Sequence, residues 1–513
     1  MPGGRVRPDT VSTKSHKQVD VPMTQQPLRS VARLSRRLLK PLGYALAFLL
    51  PPLIVIAIAQ AAIIVRAQNP SQPAAVDQPL PAPPTHDPAK RTAVIVAGNA
   101  ATESSDLLGP YEVLAASGAF NVYLVAPERR LTPLVPQPHC CGPLDVMPHY
   151  SFAEYDRVIG AAPDLVVVPF IPFADTADAA VLAWLRERPG EQTVILSICG
   201  GAKMVADAGL LAGHQATSHA TNLPILAQTH PEVTWVRGVR YVDDGRFISS
   251  AGVTSGVDAT LHTLERFVGR EAAEATAAHV GYPYTQFLTD PTWQVPDDGL
   301  LARPGPLDIA VWPNAFRWHR TQIGVVLYSG VREIELASII DAYPRSTSTD
   351  VQTLGLERMF VRTRHGLDLL PRFDLASAPP LDRVLLPGQP TPDVAGPVDS
   401  WAATRVRRGA ERIHASGDYP YDVTFRDLAR QETRLVALSA ARWLEYPITP
   451  EALEGRDWDP ALLLRAAALG TLGVLVAIGV GRLRGKRARL RVWQQTMAAA
   501  PPATRQGQKP TTI

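Results

Sequence analysis

Short, unbroken apolar runs recur through the middle of the chain, at Thr92–Ala97, Val122–Ala126, Leu165–Val168 and Thr193–Ser197. A strand with one wet face alternates apolar and polar residues, whereas a strand covered on both faces reads as a continuous run. Stretches with helical spacing, such as Leu107–Ala116 and Asp178–Arg188, fill some of the intervals. The pattern predicts an α/β fold: a flavodoxin-like, doubly wound parallel sheet with helices on both faces.

The pattern then recurs. Gly324–Tyr328 is another buried-strand run, and Glu335–Asp341 repeats the spacing of Asp106–Glu112 at a constant offset. Asp382–Pro387 matches Asp164–Pro169, and Leu444–Pro447 matches Val280–Pro283 in the same order, which predicts an internal duplication. From Pro169 to Tyr282 the chain advances 113 residues, but from Pro387 to Tyr446 only 59. The missing block is expected to be the cysteine elbow described below. Residues 306–450 are therefore read as a truncated, non-catalytic copy, in which Glu335 is either a leftover acid or a helix-capping residue.

Two stretches are apolar for longer than a strand or a surface helix allows. Residues 44–65 carry no charge and have about the length that crosses a ~30 Å hydrocarbon layer. Pro51 and Pro52 lie inside, which a membrane helix tolerates. Residues 460–481 form a second span, interrupted by Arg465 near its start, where a long side chain can snorkel. Arg29, Arg33, Arg36, Arg37 and Lys40 precede the first span, and Arg482–Arg489 follow the second. The bias of basic residues toward the cytoplasm then places segments 1–43 and 482–513 inside and residues 66–459 outside a two-pass membrane protein. Its first partner is the lipid bilayer. Gln68–Pro88, rich in Pro, Ala and Gln, predicts an extended stalk over 66–90, and the tail after Arg489 has a disordered composition.

Charge narrows the function little. Lys+Arg 51 against Asp+Glu 48 leaves +3, without the one-sided field of a nucleic-acid wrapper. Three cysteines cannot make a multi-bridge scaffold, and adjacent Cys140 and Cys141 are expected as free thiols. His139 beside them is read as incidental. No phosphate loop, dinucleotide fingerprint or spaced metal-ligand set is present, so neither a metal nor a cofactor is expected.

The informative turn is Ser197-Ile198-Cys199-Gly200-Gly201-Ala202-Lys203, where a buried strand ends at a cysteine and small residues let a helix begin at once. A thiol there sees the positive end of the helix dipole, which lowers its pKa, and the N–H of Gly200 can stabilise an oxyanion. A buried structural cysteine has the same signature.

Five ordered motifs, Asp106–Leu114, this elbow, Ala208–Gly213, Ala216–His219 and Ser250–Asp258, resemble the ThiJ/PfpI family of the class I glutamine amidotransferase-like fold. The closest resemblance is to the sensor halves of AraC-type regulators and to isocyanide hydratases, over residues 91–285. It implies Cys199 as the nucleophile, Asp106 as the acid that hydrogen-bonds it and His219 as a pocket histidine. A helix N-cap for Asp106 and a loop-bonded ring for His219 are the alternatives. It also implies a pocket for a small-molecule ligand or substrate, and a dimer interface met by a homodimer or by the two copies as an intramolecular pseudo-dimer.

The departures are specific. Gly200 stands where PfpI-type proteases have a histidine, which argues against peptidase activity, and Ser197 replaces the first glycine of the amidotransferase elbow. The hydroxyl residue that hydratases carry after the cysteine is absent. No helix-turn-helix follows, so no direct nucleic-acid partner is expected. Residues 286–305 read as a linker. Two functions stay open: a membrane-anchored sensor that binds a small molecule or responds to oxidation at Cys199, and a cysteine-dependent hydratase, amidase or glyoxal-type enzyme.

Overall fold

The computed structural model describes residues 27–67, 73, 76–136, 143–172, 179–296 and 308–499. His139, Cys140, Cys141 and Asp178 lie outside them. Helix α1 (Pro27–Ala67) contains the stretch Lys40–Ile63, and this stretch and the C-terminal helix Pro460–Ala498 are long and apolar enough to cross a membrane. A Cβ added to Gly473 would lie 2.1 Å from the Ala47 carbonyl oxygen, and one on Gly470 2.6 Å from that of Phe48. Small residues thus let the two backbones meet, as they do between helices in lipid. The C-terminal helix does not stop at 481. It runs on to Ala498 through a stretch rich in Arg, Leu and Ala, all good helix formers, so the start of the expected disordered tail is helical.

Residues 52–468 make a second compact unit built around two parallel-rich sheets, with two smaller sheets beside them. In chain order its first half holds β1 (Arg91–Val96), α2 (Ser104–Ala116), β2 (Phe120–Ala126), β3 (Tyr150–Ser151), β4 (Leu165–Val168), β5 (Val194–Ser197), α3 (Gly201–Asp207), β6 (Tyr241–Asp244), β7 (Phe247–Ser250), α4 (Ser255–Val268) and α5 (Arg270–His279). The strands lie in the order β6-β7-β5-β4-β1-β2-β3, parallel except for β6. β1, β2, β4 and β5 are buried almost throughout, as their unbroken apolar sequences require.

The second half holds β8 (Thr321–Val326), α6 (Glu333–Arg345), β9 (Thr349–Gly355), β10 (Phe373–Asp374), β11 (Arg383–Pro387), β12 (Ala410–Ile413), α7 (Pro420–Gln431) and α8 (Arg434–Trp443). Its all-parallel order, β10-β9-β8-β11-β12, follows the same path as β3-β2-β1-β4-β5. Here the sequence expectation needs correction. Val168 pairs with Ser197 two residues before Cys199, and Leu386 pairs with Arg412 two residues before His414. Both Cys199 (φ 55°) and His414 (φ 67°) are left-handed. The elbow's backbone is therefore kept in the second half with a histidine at its apex; what is absent is a counterpart of the segment from α3 to β7. A histidine tolerates this conformation better than most residues, but in a sequence it carries no mark of an elbow as a cysteine at a strand end does.

The two halves share one apolar core running from Ile95 and Leu196 to Val325 and Leu385. At its centre α2 packs on α6 through reciprocal bonds: the Ile334 N–H donates to Glu112 at 2.7 Å, and the Ser105 N–H to Asp341 at 3.0 Å. A small sheet joins the halves again, with Asp368–Leu370 pairing antiparallel to Asp145–Met147. The described part of the expected stalk is not free. Gln78 donates to the Arg358 carbonyl at 3.3 Å, Arg362 to that of Ala82 at 3.0 Å, and the Asp87 N–H to Asn121 at 2.9 Å. The expected linker is likewise partly docked, because Thr292 bridges Val239 and the Trp293 N–H donates to the Gly238 carbonyl.

Candidate functional site

The chain turns at Cys199 because the next two residues have no side chain. A Cβ on Gly201 would lie 2.0 Å from the Val168 carbonyl oxygen, and one on Gly200 would enter the Phe170 ring at 2.4 Å. The turn is pinned by Ser250, which accepts from the Cys199 N–H at 3.2 Å, and by Ser218, whose hydroxyl donates to the Cys199 carbonyl at 2.7 Å. The thiol is free and buried at the wall of a cavity of about 260 Å³. Glu103, Phe170, His219, Asn222, Arg345 and Trp443 line the cavity with it.

Two of the four expected site residues, Cys199 and His219, line the cavity; Gly200 follows the cysteine, and Asp106 lies behind Phe170. Asp106 is fully buried, accepts the Phe170 N–H at 3.0 Å through one oxygen, and keeps its other oxygen, Oδ1, without a partner. The expected hydrogen bond between Asp106 and the Cys199 sulfur is not formed. Nor is Asp106 the helix cap: Glu103 is, and it accepts the Asp106 N–H at 2.7 Å. His219 is held at both nitrogens. Nε2 lies 2.9 Å from the Trp443 carbonyl, so it donates, and Nδ1 accepts from Thr221 at 2.7 Å. Both ring nitrogens are thus engaged, Nε2 also lies 3.8 Å from the Glu445 carboxylate, and the ring stacks on Trp443.

The electrostatics oppose the expected thiolate. Burial first, then the nearby Asp106, Glu103 and Glu445 carboxyls, push the Cys199 thiol well above its ordinary 9.0. The Gly200 N–H, the expected oxyanion donor, sits close to the sulfur and works the other way, but α3 is only seven residues long and desolvation wins. Burial also raises Asp106 to about 7 and Glu103 well above the carboxylate range. Glu103 and Asp341 share one guanidinium, that of Arg345, at 3.1 Å and 3.0 Å, and Asp106 lies near the pair without touching the cation. Burial and the crowding of negative charge therefore favour the protonated forms of Glu103 and Asp106.

Arg345, Trp443 and Glu445 belong to the second half of the chain. Glu445 is buried at φ 48° and accepts the Ala220 N–H at 2.8 Å. Its own carbonyl is clamped by the buried Arg240, which is paired to Asp258. The sequence reading missed these residues and Glu103. The Glu-x-x-Asp spacing of cap and first turn was the signal for Glu103; Arg345, Trp443 and Glu445 carry no local signal, because they reach the site from the other half of the chain.

Residues 90–266 match the DJ-1/PfpI family. The isonitrile hydratase of Pseudomonas putida is 28% identical over 181 residues, which cover 34% of this chain and 72% of that protein. The HTH-type transcriptional regulator CdhR of Pseudomonas aeruginosa is 26% identical over 214 residues, 42% of this chain and 54% of the regulator, so the chain spans about half of that relative. Among solved structures, a ThiJ/PfpI family protein from Pseudomonas syringae aligns at TM-score 0.33 and 23% identity, covering 39% of this chain and 82% of its own. Drosophila melanogaster DJ-1beta aligns at 0.33 and 20%, covering 38% and 100%. With its buried parallel sheet and cysteine elbow, the first half of the globular unit is a DJ-1/PfpI family domain.

Proposed function

We propose that this protein binds or senses a small, uncharged molecule in the cavity at Cys199, and that its two long apolar helices anchor it in a membrane. On this reading both ends are cytoplasmic and the pocket faces outward, from the basic flanks of both helices. The observation that carries the sensing role is the state of the thiol. It is buried, and burial together with the carboxyls around it holds its pKa well above the ordinary thiol range, so the site disfavours a further negative charge. A pocket of this kind favours a neutral ligand, and it keeps the sulfur in reserve for a strong oxidant or electrophile.

One observation favours a second reading. The unpartnered Oδ1 of Asp106, on a carboxyl titrating near 7, is equipped to pass a proton at neutral pH, as hydratase, amidase or glyoxal-type chemistry at Cys199 would require.

A turnover screen of isonitriles and small carbonyl compounds, run beside a thermal-shift screen, separates the two. The sensing account expects ligands that raise the melting temperature without being consumed, both in the wild type and in Cys199→Ser. Consumption abolished by Cys199→Ser would replace it with the enzyme. In the same protein, iodoacetamide at pH 7 should label Cys199 at least about threefold more slowly than a peptide thiol, the ratio set by a pKa above 9 against about 8.5. Faster labelling than the peptide would contradict the protonated state.

A further inference from the structure

A second cavity, of about 230 Å³, opens between the loop Arg317–His319 and the first turns of the C-terminal helix, with Asp459, Leu462 and Arg465 on the helix side. Trp318 is 85% exposed there, a large indole left in contact with solvent. The Arg465 guanidinium lies 4.9 Å from its ring centroid and donates to the Phe316 carbonyl at 3.1 Å. Among the described residues Arg465 meets no carboxylate. Asp459 is paired to Arg456 at 3.4 Å, and Arg317 to Glu432 at 2.5 Å with its own Nε unpartnered. One positive charge without a carboxylate partner, that of Arg465, therefore lines the cavity. Immediately along the helix Leu463 and Leu464 are 45% and 70% exposed, as the start of an apolar span requires.

We infer that this cavity seats the phosphodiester headgroup of an anionic membrane lipid, with Trp318 in the interfacial layer beside it. The inference rests on the membrane anchoring proposed above. Its physical basis is a charge match. A phosphodiester carries one negative charge and acceptor oxygens for a guanidinium, which here is held over the Trp318 ring and by a carbonyl bond. An exposed indole at the end of an apolar helix is satisfied when its ring lies at headgroup depth, which explains why it is unburied by protein.

The test uses the full chain in nanodiscs of phosphatidylcholine with and without phosphatidylglycerol. Native mass spectrometry should find phosphatidylglycerol retained over phosphatidylcholine, with retention about fivefold weaker in Arg465→Gln. Lipids brominated next to the headgroup should quench a component of the tryptophan emission that Trp318→Phe lacks. Cys199→Ser should change neither readout. Equal retention by wild type and Arg465→Gln, or equal quenching of wild type and Trp318→Phe, would overturn the inference. Stabilisation of the detergent-solubilised protein by inorganic phosphate as strong as that by phosphatidylglycerol would overturn it too, in favour of a free-anion site. Failure of the chain to enter nanodiscs at all would instead overturn the anchoring.

Discussion

Gly201→Ala should lower the stability of the globular unit by at least about 3 kcal/mol, read as a fall in the urea midpoint. The added carbon would sit 2.0 Å from the Val168 carbonyl oxygen and 2.9 Å from that of Pro169. Neither can retreat without opening the pairing of β4 with β5. Gly200→Ala meets the Phe170 ring first, a side chain that can turn, so it should cost less while changing the shape of the cavity. Gly396, in open space within a helix, is the control. Its replacement by Ala should be neutral or stabilising by up to about 1 kcal/mol. Equal effects at Gly201 and Gly396 would refute the close approach that defines the elbow.

The second large effect is on the pH dependence. Asp106 titrates at about 7 in the folded protein, because burial penalises its charge, and near 3.9 when unfolded. The native state holds this proton more tightly, so the associated stability is fully present below about pH 4 and is lost as pH rises through about 7. The amount is on the order of 3–4 kcal/mol at three pKa units. Glu103 shifts in the same direction. The wild type should therefore be markedly less stable at pH 8 than at pH 5. Asp106→Asn keeps an acceptor for the Phe170 N–H and removes the charge, so it should gain stability at pH 8 and flatten the profile between 5 and 8. An unchanged slope in Asp106→Asn would show that its carboxyl is solvated in the native state.

Much of this was legible along the chain. Strands covered on both faces are continuous apolar runs, and Thr92–Ala97 and Leu165–Val168 could be read as such without a partner in view. The tight turn after Cys199 was legible because only glycine fits there. What was hidden depends on contacts between residues hundreds of positions apart. Arg345 reaches Glu103 across 242 residues, and Ala220 donates to Glu445 across 225. A motif shows that a cysteine ends a strand, but the acids that later surround it decide its protonation. The helix-dipole argument for a thiolate was sound in sign, yet it was outweighed by full burial and three neighbouring carboxyls. The elbow of the second half was concealed for a different reason. Its mark is a backbone angle, and His414 carries that angle without the chemistry that drew attention to Cys199.

The central claim, a cavity built by both halves of the chain around a protonated thiol, is tested most directly by the ultraviolet absorbance of the thiolate against pH. The difference between wild type and Cys199→Ser isolates this sulfur, since both proteins carry Cys140 and Cys141. The account predicts no thiolate step below pH 9, and in Arg345→Met, which removes the cation that the acids share, still none. A step between pH 5 and 7 in the wild type would contradict it and return Cys199 to the role of an activated nucleophile.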